Sequence, residues 1–496
     1  GERAPRGRRL ALAAASIFVA ALLGVSAFVY FKRTAQAESE SIAVMPFANV
    51  NSDPDTEYLS DGITEHLINH LSQLPNLRVI ARTTAFSYKG RRVDPREAGR
   101  ELNVGAVLVG EVTKRDDTLT IQTELVRVSD GSRLWGEKYS RPVSDLLGVQ
   151  RDIAAEILEQ LKLRLTTTSR QRMTRHYTEN AEAYRLYLQG EYHRKRTTPE
   201  DLRRSVEYFQ QAVQKDPGYA HAYVGLALAY RSLPGVGAMT PQEAYPRAKD
   251  AAERALALDP ALASAHVPLA SIKYLFDWNF EEAEEGYRTA IELNPNYAEA
   301  HSGYANFLTA FGRFDEAMRE YQIAQQLDPL SVGIKSNVAW SLYVSGLYDE
   351  ALARCRESLR LAPDHAPTHI QMGEIYVQQG KFEEAVTAFH KAKDLSADVM
   401  ADIGLGHAYG VAGRRAEALK ILEEMERRVE RREVSSFHIA TLSTGLGDKD
   451  KAFAYLERAL RERSNWMVLM KTGPRLAPLR SDPRFEDILR RMNFPR

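Results

Sequence analysis

His66 and His70 are the residues most suggestive of metal chemistry, because they stand four residues apart in a helical pattern. Histidines at this spacing lie on one face of a helix and can bind zinc together. A zinc-protease helix carries a glutamate directly after its first histidine, whereas here Glu65 comes before His66. The pattern favours the alternative, a helix face in contact with solvent, and we expect no metal there.

An acidic loop precedes the same helix and contains Asn51, Asp53, Asp55, Glu57 and Asp61. Carboxylates crowded into one loop are typical of calcium sites. Counted from the asparagine, however, the sixth residue is threonine where a calcium loop needs glycine, and the twelfth is glycine where it needs glutamate. The loop therefore predicts a turn that caps the helix, and we expect no metal.

Motifs for nucleophilic or phosphoryl-transfer chemistry are missing from the sequence, which has no GxxxxGK[ST], GxSxG, HRD or DFG. Acidic pairs such as Asp315 and Glu316 open predicted helices, where carboxylates stabilise the positive end of the helix dipole. We assign no catalytic residue and expect no cofactor. Whether the full-length protein is an enzyme stays open, since an effector domain can precede this chain.

Composition excludes further classes of function. The 496 residues include 66 basic and 66 acidic side chains, so the formal net charge is zero and we expect no nucleic-acid partner. Cys355 is the one cysteine of the sequence, which excludes an intrachain disulfide and a cysteine-based zinc cluster.

Residues 10–31 form a run of 22 without a charge, which at about 1.5 Å per helical residue can cross a bilayer core of about 30 Å. We predict one N-terminal transmembrane helix. Four arginines within residues 1–9 predict a cytoplasmic N-terminus, and therefore an extracytoplasmic soluble part. The alternative is a cleaved signal peptide, because residues 35–37 read Ala-Gln-Ala.

Residues 41–165 predict a small α+β domain with the element order βαβαβββα. Apolar runs of strand length alternate with helical patterns, the first of which carries Ile63, Leu67 and Leu71 on one face. Turn signals at residues 116–117 and 130–131 then predict a three-stranded antiparallel meander, which a helix closes.

The segments SIAVMPF, EYLSDGITEHLINHLSQLPNLRVIART, AGRELNVGAVLVGEV and GSRLWGEKYSR resemble the TolB-amino-terminal-like, or FlgO-like, domain. In bacteria that domain commonly precedes repeat arrays in membrane proteins. The resemblance therefore implies a single-pass protein of the bacterial inner membrane with its soluble part in the periplasm. It also implies a cytoplasmic half that is a serine/threonine kinase, a CadC-like winged helix or a nucleotide cyclase.

Two 34-residue units follow each other between Pro295 and Pro363, each predicting two amphipathic helices around a glycine and a closing proline. In the first unit Tyr304, Ala305 and Leu308 hold the large and small positions. This pattern closely resembles the tetratricopeptide repeat (TPR) and predicts an all-α superhelical solenoid of about eight repeats. We assign residues 166–180 to a linker, 181–465 to the solenoid and 466–496 to a segment that caps the last repeat. The third repeat has one extra residue in its turn, at residues 276–279.

The resemblance to TPR proteins implies a concave groove lined by the first helix of each repeat, and thus protein or peptide partners. By register with the family, our candidate groove residues are Asn306, Trp340, Tyr343, Glu374 and His407. The alternative is that these side chains merely pack against their neighbours.

Two hypotheses follow for function. The first is a membrane-anchored scaffold that binds proteins through its repeats and the membrane through residues 10–31. The second is the extracytoplasmic half of a membrane serine/threonine kinase, or in a variant of this hypothesis of a CadC-like winged-helix regulator, with the effector encoded upstream of Gly1.

Overall fold

A computed structural model of the chain describes residues 41–51, 54–74, 76–91, 93–161, 178–196, 198–396 and 399–495. Within these ranges no helix is long and apolar enough to cross a membrane. The predicted anchor at residues 10–31, its basic flank at 1–9 and most of the predicted linker lie outside the described residues.

The small domain is a mixed sheet with helices on both faces. Its strands are β1 (Ser41–Val44), β2 (Ala48–Asn49), β3 (Arg78–Val79), β4 (Ala106–Arg115), β5 (Thr118–Arg127) and β6 (Arg133–Pro142). Its helices are α1 (Pro54–Ser72), α2 (Arg82–Phe86), α3 (Pro95–Glu101) and α4 (Leu146–Gln160). Strand order is β3-β1-β4-β5-β6, with the first three strands parallel and the last three antiparallel.

The α+β class is confirmed, and the predicted element order needs two additions. The two-residue strand β2 pairs with β4 beyond Pro46, whose missing N–H interrupts the ladder of β1. The five-residue helix α2 is too short to be stable by itself. Contacts with the solenoid stabilise α2, and for this reason the residues of α2 alone did not predict a helix.

Two apolar layers enclose the sheet. Ile63 and Leu67 of α1 pack with Ile153 and Ile157 of α4 on one face. On the other face α3 contributes Ala98 to a smaller cluster.

The solenoid comprises eight helical pairs within the described residues, one pair for each repeat. The first four pairs are α5 (Ala181–Arg194) and α6 (Pro199–Lys215), α7 (Ala220–Ser232) and α8 (Pro241–Leu258), α9 (Ala263–Ile272) and α10 (Phe280–Leu293), and α11 (Ala298–Ala310) and α12 (Phe314–Leu327). The last four are α13 (Val332–Val344) and α14 (Tyr348–Leu361), α15 (Ala366–Gln378) and α16 (Phe382–Leu395), α17 (Val399–Val411) and α18 (Arg415–Glu430), and α19 (Ser436–Gly445) and α20 (Lys449–Arg461).

Glycine ends the first helix in each of the last five repeats. All five glycines adopt the left-handed conformation, with φ between 71° and 86° at Gly312, Gly346, Gly380, Gly413 and Gly447. A side chain is disfavoured at this φ, which explains the glycine in each turn.

The solenoid curves until the end of its last repeat meets repeats two and three. Gln242 at the start of α8 donates to the carbonyl of Glu462, just after α20. The Arg463 guanidinium lies 4.3 Å from the ring centre of Trp278, in the turn of the third repeat. Repeats two and three therefore contact the end of repeat eight, so the array closes into a ring.

The last residues fold back over the solenoid. Two 3₁₀ helices (Asn465–Leu469 and Pro474–Leu479) precede α21 (Pro483–Arg491). Helix α21 packs on α20, where Arg491 bonds to Glu457 at 2.7 Å. The second 3₁₀ helix packs on α19 and enters the concave face.

Candidate protein-interaction groove

The five predicted groove residues lie on the first helices of four successive repeats. Asn306 is on α11, Trp340 and Tyr343 are on α13, Glu374 is on α15 and His407 is on α17. The structure brings the last three close to one further side chain, Arg475, which comes from the 3₁₀ helix of the C-terminal segment.

Arg475 and Glu374 form an ion pair in which the two side chains are only 11% and 8% exposed. Burial raises the pKa of Glu374, whereas the neighbouring Arg475 acts in the opposite direction. A buried carboxylate is costly without a partner, and the chain supplies that partner itself. The groove at this point is therefore occupied by the protein's own C-terminal segment.

The histidines around Arg475 are held in their neutral form. Burial, with the nearby Arg475 charge, lowers the pKa of His407 to about 3 and that of His438 to about 3. His407 donates from Nδ1 to the carbonyl of Thr441, 2.9 Å away, which orients its ring. Neither histidine is suited to proton transfer near neutral pH.

Apolar side chains anchor the same segment. Leu476, Leu479, Ile488 and Met492 are at most 1% exposed, and each contributes about 1.5–3 kcal/mol on burial. Phe494 packs on Phe280 and Phe311, with ring centres 4.7 and 5.3 Å away. The burial of these side chains makes the C-terminal segment a part of the hydrophobic core.

Asn306 and Trp340 keep part of their surface exposed, unlike the other three candidates. The Asn306 side-chain oxygen accepts from the Tyr321 hydroxyl at 2.7 Å. The Trp340 ring lies 5.2 Å from Tyr343 and shields one side of it. These two residues mark the part of the predicted groove that a partner can still reach.

A second part of the solenoid receives the small domain. The Asp328 carboxylate, in the loop after α12, accepts from the Thr84 amide at 2.9 Å and the Thr84 hydroxyl at 2.6 Å. The Thr84 hydroxyl also accepts from the Leu330 amide at 2.8 Å. Burial raises the pKa of Asp328, although its hydrogen bonds oppose the shift.

Asn296, in the loop before α11, makes the neighbouring contact. Its side-chain amide nitrogen lies 2.9–3.2 Å from the carbonyl oxygens of Ser72, Leu74 and Leu77, where α1 ends. It therefore satisfies carbonyls that the end of a helix leaves without intrahelical partners. The Ala81 amide completes the contact with a bond of 2.8 Å to the Leu327 carbonyl.

Ion pairs surround the contact between α1 and the first repeat. Glu65 of α1 pairs with Lys195 at the end of α5, and with Arg82 at 3.1 Å. Lys195 also pairs with Glu191 at 3.0 Å. We call this set, Glu65, Arg82, Glu191 and Lys195, the charged cluster.

The helix face with His66 and His70 is part of this contact, so our expectation of a solvent-exposed face is wrong. The His66 ring lies 5.6 Å from that of His70 and 6.1 Å from that of Tyr184 on α5. Burial lowers the pKa of His66 well below its usual range, and His70 and His221 lower it further. Across the part of the chain that the structure describes, no three His, Cys, Asp or Glu side chains are placed to hold a metal.

Three residues that make these contacts were not predicted from the sequence. Asn296 and Asp328 stand in ordinary helix-ending loops, and Arg475 lies in a Pro-rich stretch that resembles a cap. The roles of all three depend on contacts between residues 100 or more positions apart, for which the sequence offered no signal.

Comparisons with known proteins match both regions. Residues 37–155 match the family model described as HilA/YgeH-like transcriptional regulator, second domain. Tetratricopeptide-repeat models match residues 279–331, 343–399, 399–424 and 435–465. The predicted resemblance to TolB-like or FlgO-like domains stays a prediction, since the matched description is a different one.

One curated relative is the putative adenylate cyclase 3 of Rhizobium meliloti (strain 1021), to which the chain is 33% identical over 188 residues. The match covers 38% of this chain and 32% of the relative, so it spans about a third of that protein's length.

Among solved structures, Pseudomonas aeruginosa PilF is 21% identical, with a TM-score of 0.34, and the match covers 43% of this chain and 92% of PilF. YrrB, described as a TPR protein with an unusual peptide-binding site, is 21% identical, with a TM-score of 0.28. That match covers 40% of this chain and 96% of YrrB.

Proposed function

We propose that this tetratricopeptide-repeat protein is a protein-interaction scaffold that serves as the sensor half of a larger signalling protein. Its TPR repeats indicate a scaffold for protein partners. The finer parts of the proposal are the membrane anchor, the upstream effector and the means by which binding is relayed to that effector.

The proposal rests on the contacts that join the small domain to the solenoid. Loops of the middle repeats bind the domain through hydrogen bonds of Asn296 and Asp328. The first repeat contacts it through the charged cluster. A partner that shifts the repeats therefore also shifts the domain, which in the sequence comes between the predicted anchor and the repeats. This arrangement suits a device that converts binding into a change near the membrane.

The names of the relatives support an effector outside this chain. One match is described as the second domain of a transcriptional regulator, and another protein is named as a putative adenylate cyclase. These names favour a regulator or a cyclase as the effector, while the TolB-like resemblance also allows a serine/threonine kinase. Reading the coding sequence upstream of Gly1 tests this part. An upstream frame with no effector domain contradicts it.

Residues 10–31 supply the membrane anchor in this proposal, with the amino end in the cytoplasm and the described residues on the far side of the inner membrane. Fusions of alkaline phosphatase and of a fluorescent protein after residue 40 test the orientation. We expect phosphatase activity and no fluorescence. A mature N-terminus near Glu38 would instead support the cleaved signal peptide.

Trp340 and Asn306 define the surface on which we expect a partner to bind. A photo-crosslinking amino acid at position 340 should give a discrete covalent adduct in cells. The matched control is position 323, where Ile323 is 37% exposed on the second helix of the fourth repeat, and it should give none. Adducts at the control position alone would place the partner elsewhere.

A further inference from the structure

A cavity of about 1120 Å³ lies where the chain after repeat eight meets the third repeat. The turn of the third repeat forms one wall, and Arg463, Lys471 and Pro495 line another. This site is separate from the groove around Arg475, and neither the comparisons nor the proposed function gives it a role.

The backbone of the third repeat departs from the repeat pattern at this cavity. Residues 273–277 form a π-helical turn (Lys273–Asp277), which accommodates the extra residue. Trp278 then adopts φ of 55°, in the place where the later repeats have glycine. A bulky residue in this conformation is strained, and such strain tends to persist at functional sites. Arg463, which stacks on Trp278, is also left-handed, with φ of 49°.

Trp278 brings an unused hydrogen-bond donor to the cavity. Trp278 lines the cavity and is 3% exposed, and among the described residues its indole nitrogen has no hydrogen-bond partner. A buried N–H without an acceptor is costly, so an oxygen or nitrogen acceptor beside it would stabilise the site.

Two cations of the cavity have no carboxylate partner among the described residues. Three of its five cationic side chains form ion pairs with acidic residues of the same lining. These pairs are Lys249 with Asp277, Lys273 with Glu282, and Arg313 with Glu284. Within the ranges that the structure describes, Arg463 bonds to the Phe276 and Asp277 carbonyls, at 3.1 and 3.4 Å, and Lys471 to the Pro495 carbonyl at 3.4 Å. Glu281 is the remaining acidic residue of the lining, so the two spare cations outnumber it.

Aromatic rings supply an apolar wall beside these cations. Phe276 and Phe311 are partly exposed and line the cavity together with Phe280. The rings of Phe280 and Phe311 are 4.9 Å apart in an edge-to-face arrangement. A flat ring can pack here, because aromatic pairs are favourable in offset or edge-to-face contact.

We propose that this cavity binds a small organic anion that carries an aromatic ring. Its anionic oxygens lie near Arg463 and Lys471, one acceptor meets the Trp278 indole N–H, and the ring packs on the phenylalanines. Binding at the closure of the ring links occupancy of the site to the relative position of repeats three and eight.

Calorimetric titration of the full chain with phenyl phosphate tests the proposal. We expect binding at one site, and Lys471→Met should weaken it about tenfold, the loss of one charge-assisted hydrogen bond. Lys471→Arg should keep most of the affinity. Lys420→Met, which removes an exposed lysine outside the cavity, should leave it unchanged. Equal affinities of wild type and Lys471→Met would overturn the assignment, as would the absence of binding.

A second measurement keeps the result independent of folding. The sequence has four tryptophans, and their indole N–H signals can be assigned by replacing Trp135, Trp340 and Trp466 one at a time with phenylalanine. Phenyl phosphate should shift the Trp278 signal and leave the other three in place. Inorganic phosphate that binds as tightly as phenyl phosphate would overturn the role of the ring, and a shift confined to another tryptophan would overturn the site.

Discussion

Two parts of the chain pack onto the solenoid, and the chemistry of the two contacts differs. The C-terminal segment inserts apolar side chains and one buried ion pair, that of Arg475 with Glu374. The small domain also has an apolar patch against the first repeat, but it meets the middle repeats through hydrogen bonds and has partly exposed ion pairs at its margin. The first contact therefore belongs to the solenoid core, whereas the second can open locally while both partners remain folded.

The largest effect in this comparison should come from Arg475→Met. It leaves the Glu374 carboxylate buried without its partner, which should reduce the free energy of unfolding by about 3–5 kcal/mol. Urea denaturation followed by circular dichroism measures the loss. The double variant Arg475→Met with Glu374→Gln should recover most of it. A double variant as unstable as the single one would show that Arg475 contributes mainly through packing.

Leu479→Ala should follow, with a loss of about 2–5 kcal/mol, because it opens a cavity at a fully buried position. The same denaturation assay applies. Leu419→Ala is the matched control, since Leu419 is 37% exposed on α18, and it should change stability by no more than about 0.5 kcal/mol. Similar losses in both variants would mean that the C-terminal segment is not a core element.

Asp328→Ala should cost about 1–3 kcal/mol, because it leaves the Thr84 amide and hydroxyl without their acceptor. We expect this loss to appear as opening of the small domain alone. Hydrogen exchange should therefore quicken in α2 and leave the repeats protected. Uniform loss of protection throughout the solenoid would contradict the contrast between the two contacts.

Asp328→Asn should alter the pH dependence of stability. Burial raises the pKa of Asp328 above its unfolded value of about 4, so the folded state holds this proton more tightly. The stabilisation is complete below pH of about 4 and is lost as pH rises through the folded pKa. Denaturation at a series of pH values should show wild type losing stability relative to Asp328→Asn as pH rises. A constant difference between the two would contradict this assignment.

Arg82→Gln should have the smallest effect, below about 1 kcal/mol, because the Arg82 side chain is 27% exposed and its ion pair with Glu65 is screened by water. The difference should shrink further in high salt. Measurement of domain opening by hydrogen exchange at two salt concentrations checks this. If the loss of stability is as large at 1 M salt, it arises from packing of the Arg82 guanidinium on the Phe86 ring, whose centre lies 3.9 Å away.

Local rules account for much of the fold. The glycine at position 312 and the proline at position 329 end helices because of their own backbone preferences. The spacing of such residues therefore predicted the repeats. The turn at residues 116–117 likewise predicted the hairpin of β4 and β5, which is confirmed.

The surroundings of the candidate groove depend on distant contacts, which the sequence did not predict. Register placed Tyr343, Glu374 and His407 on the first helices of their repeats, yet all three are buried and lie close to Arg475, which follows them in the chain by 132, 101 and 68 residues. A description in which each repeat contacts only the adjacent repeats does not predict such a contact. Whether a partner uses Asn306 and Trp340 stays a prediction.

The meeting of repeats two and three with repeat eight also fixes the number of repeats between them. An open solenoid can gain or lose a unit at modest cost, since each unit interacts only with its neighbours. Here an added or deleted unit would move Arg463 away from Trp278 and Gln242 away from Glu462, and so break the ring. We therefore expect the length of the array to be as strictly constrained in evolution as the number of strands in a closed barrel.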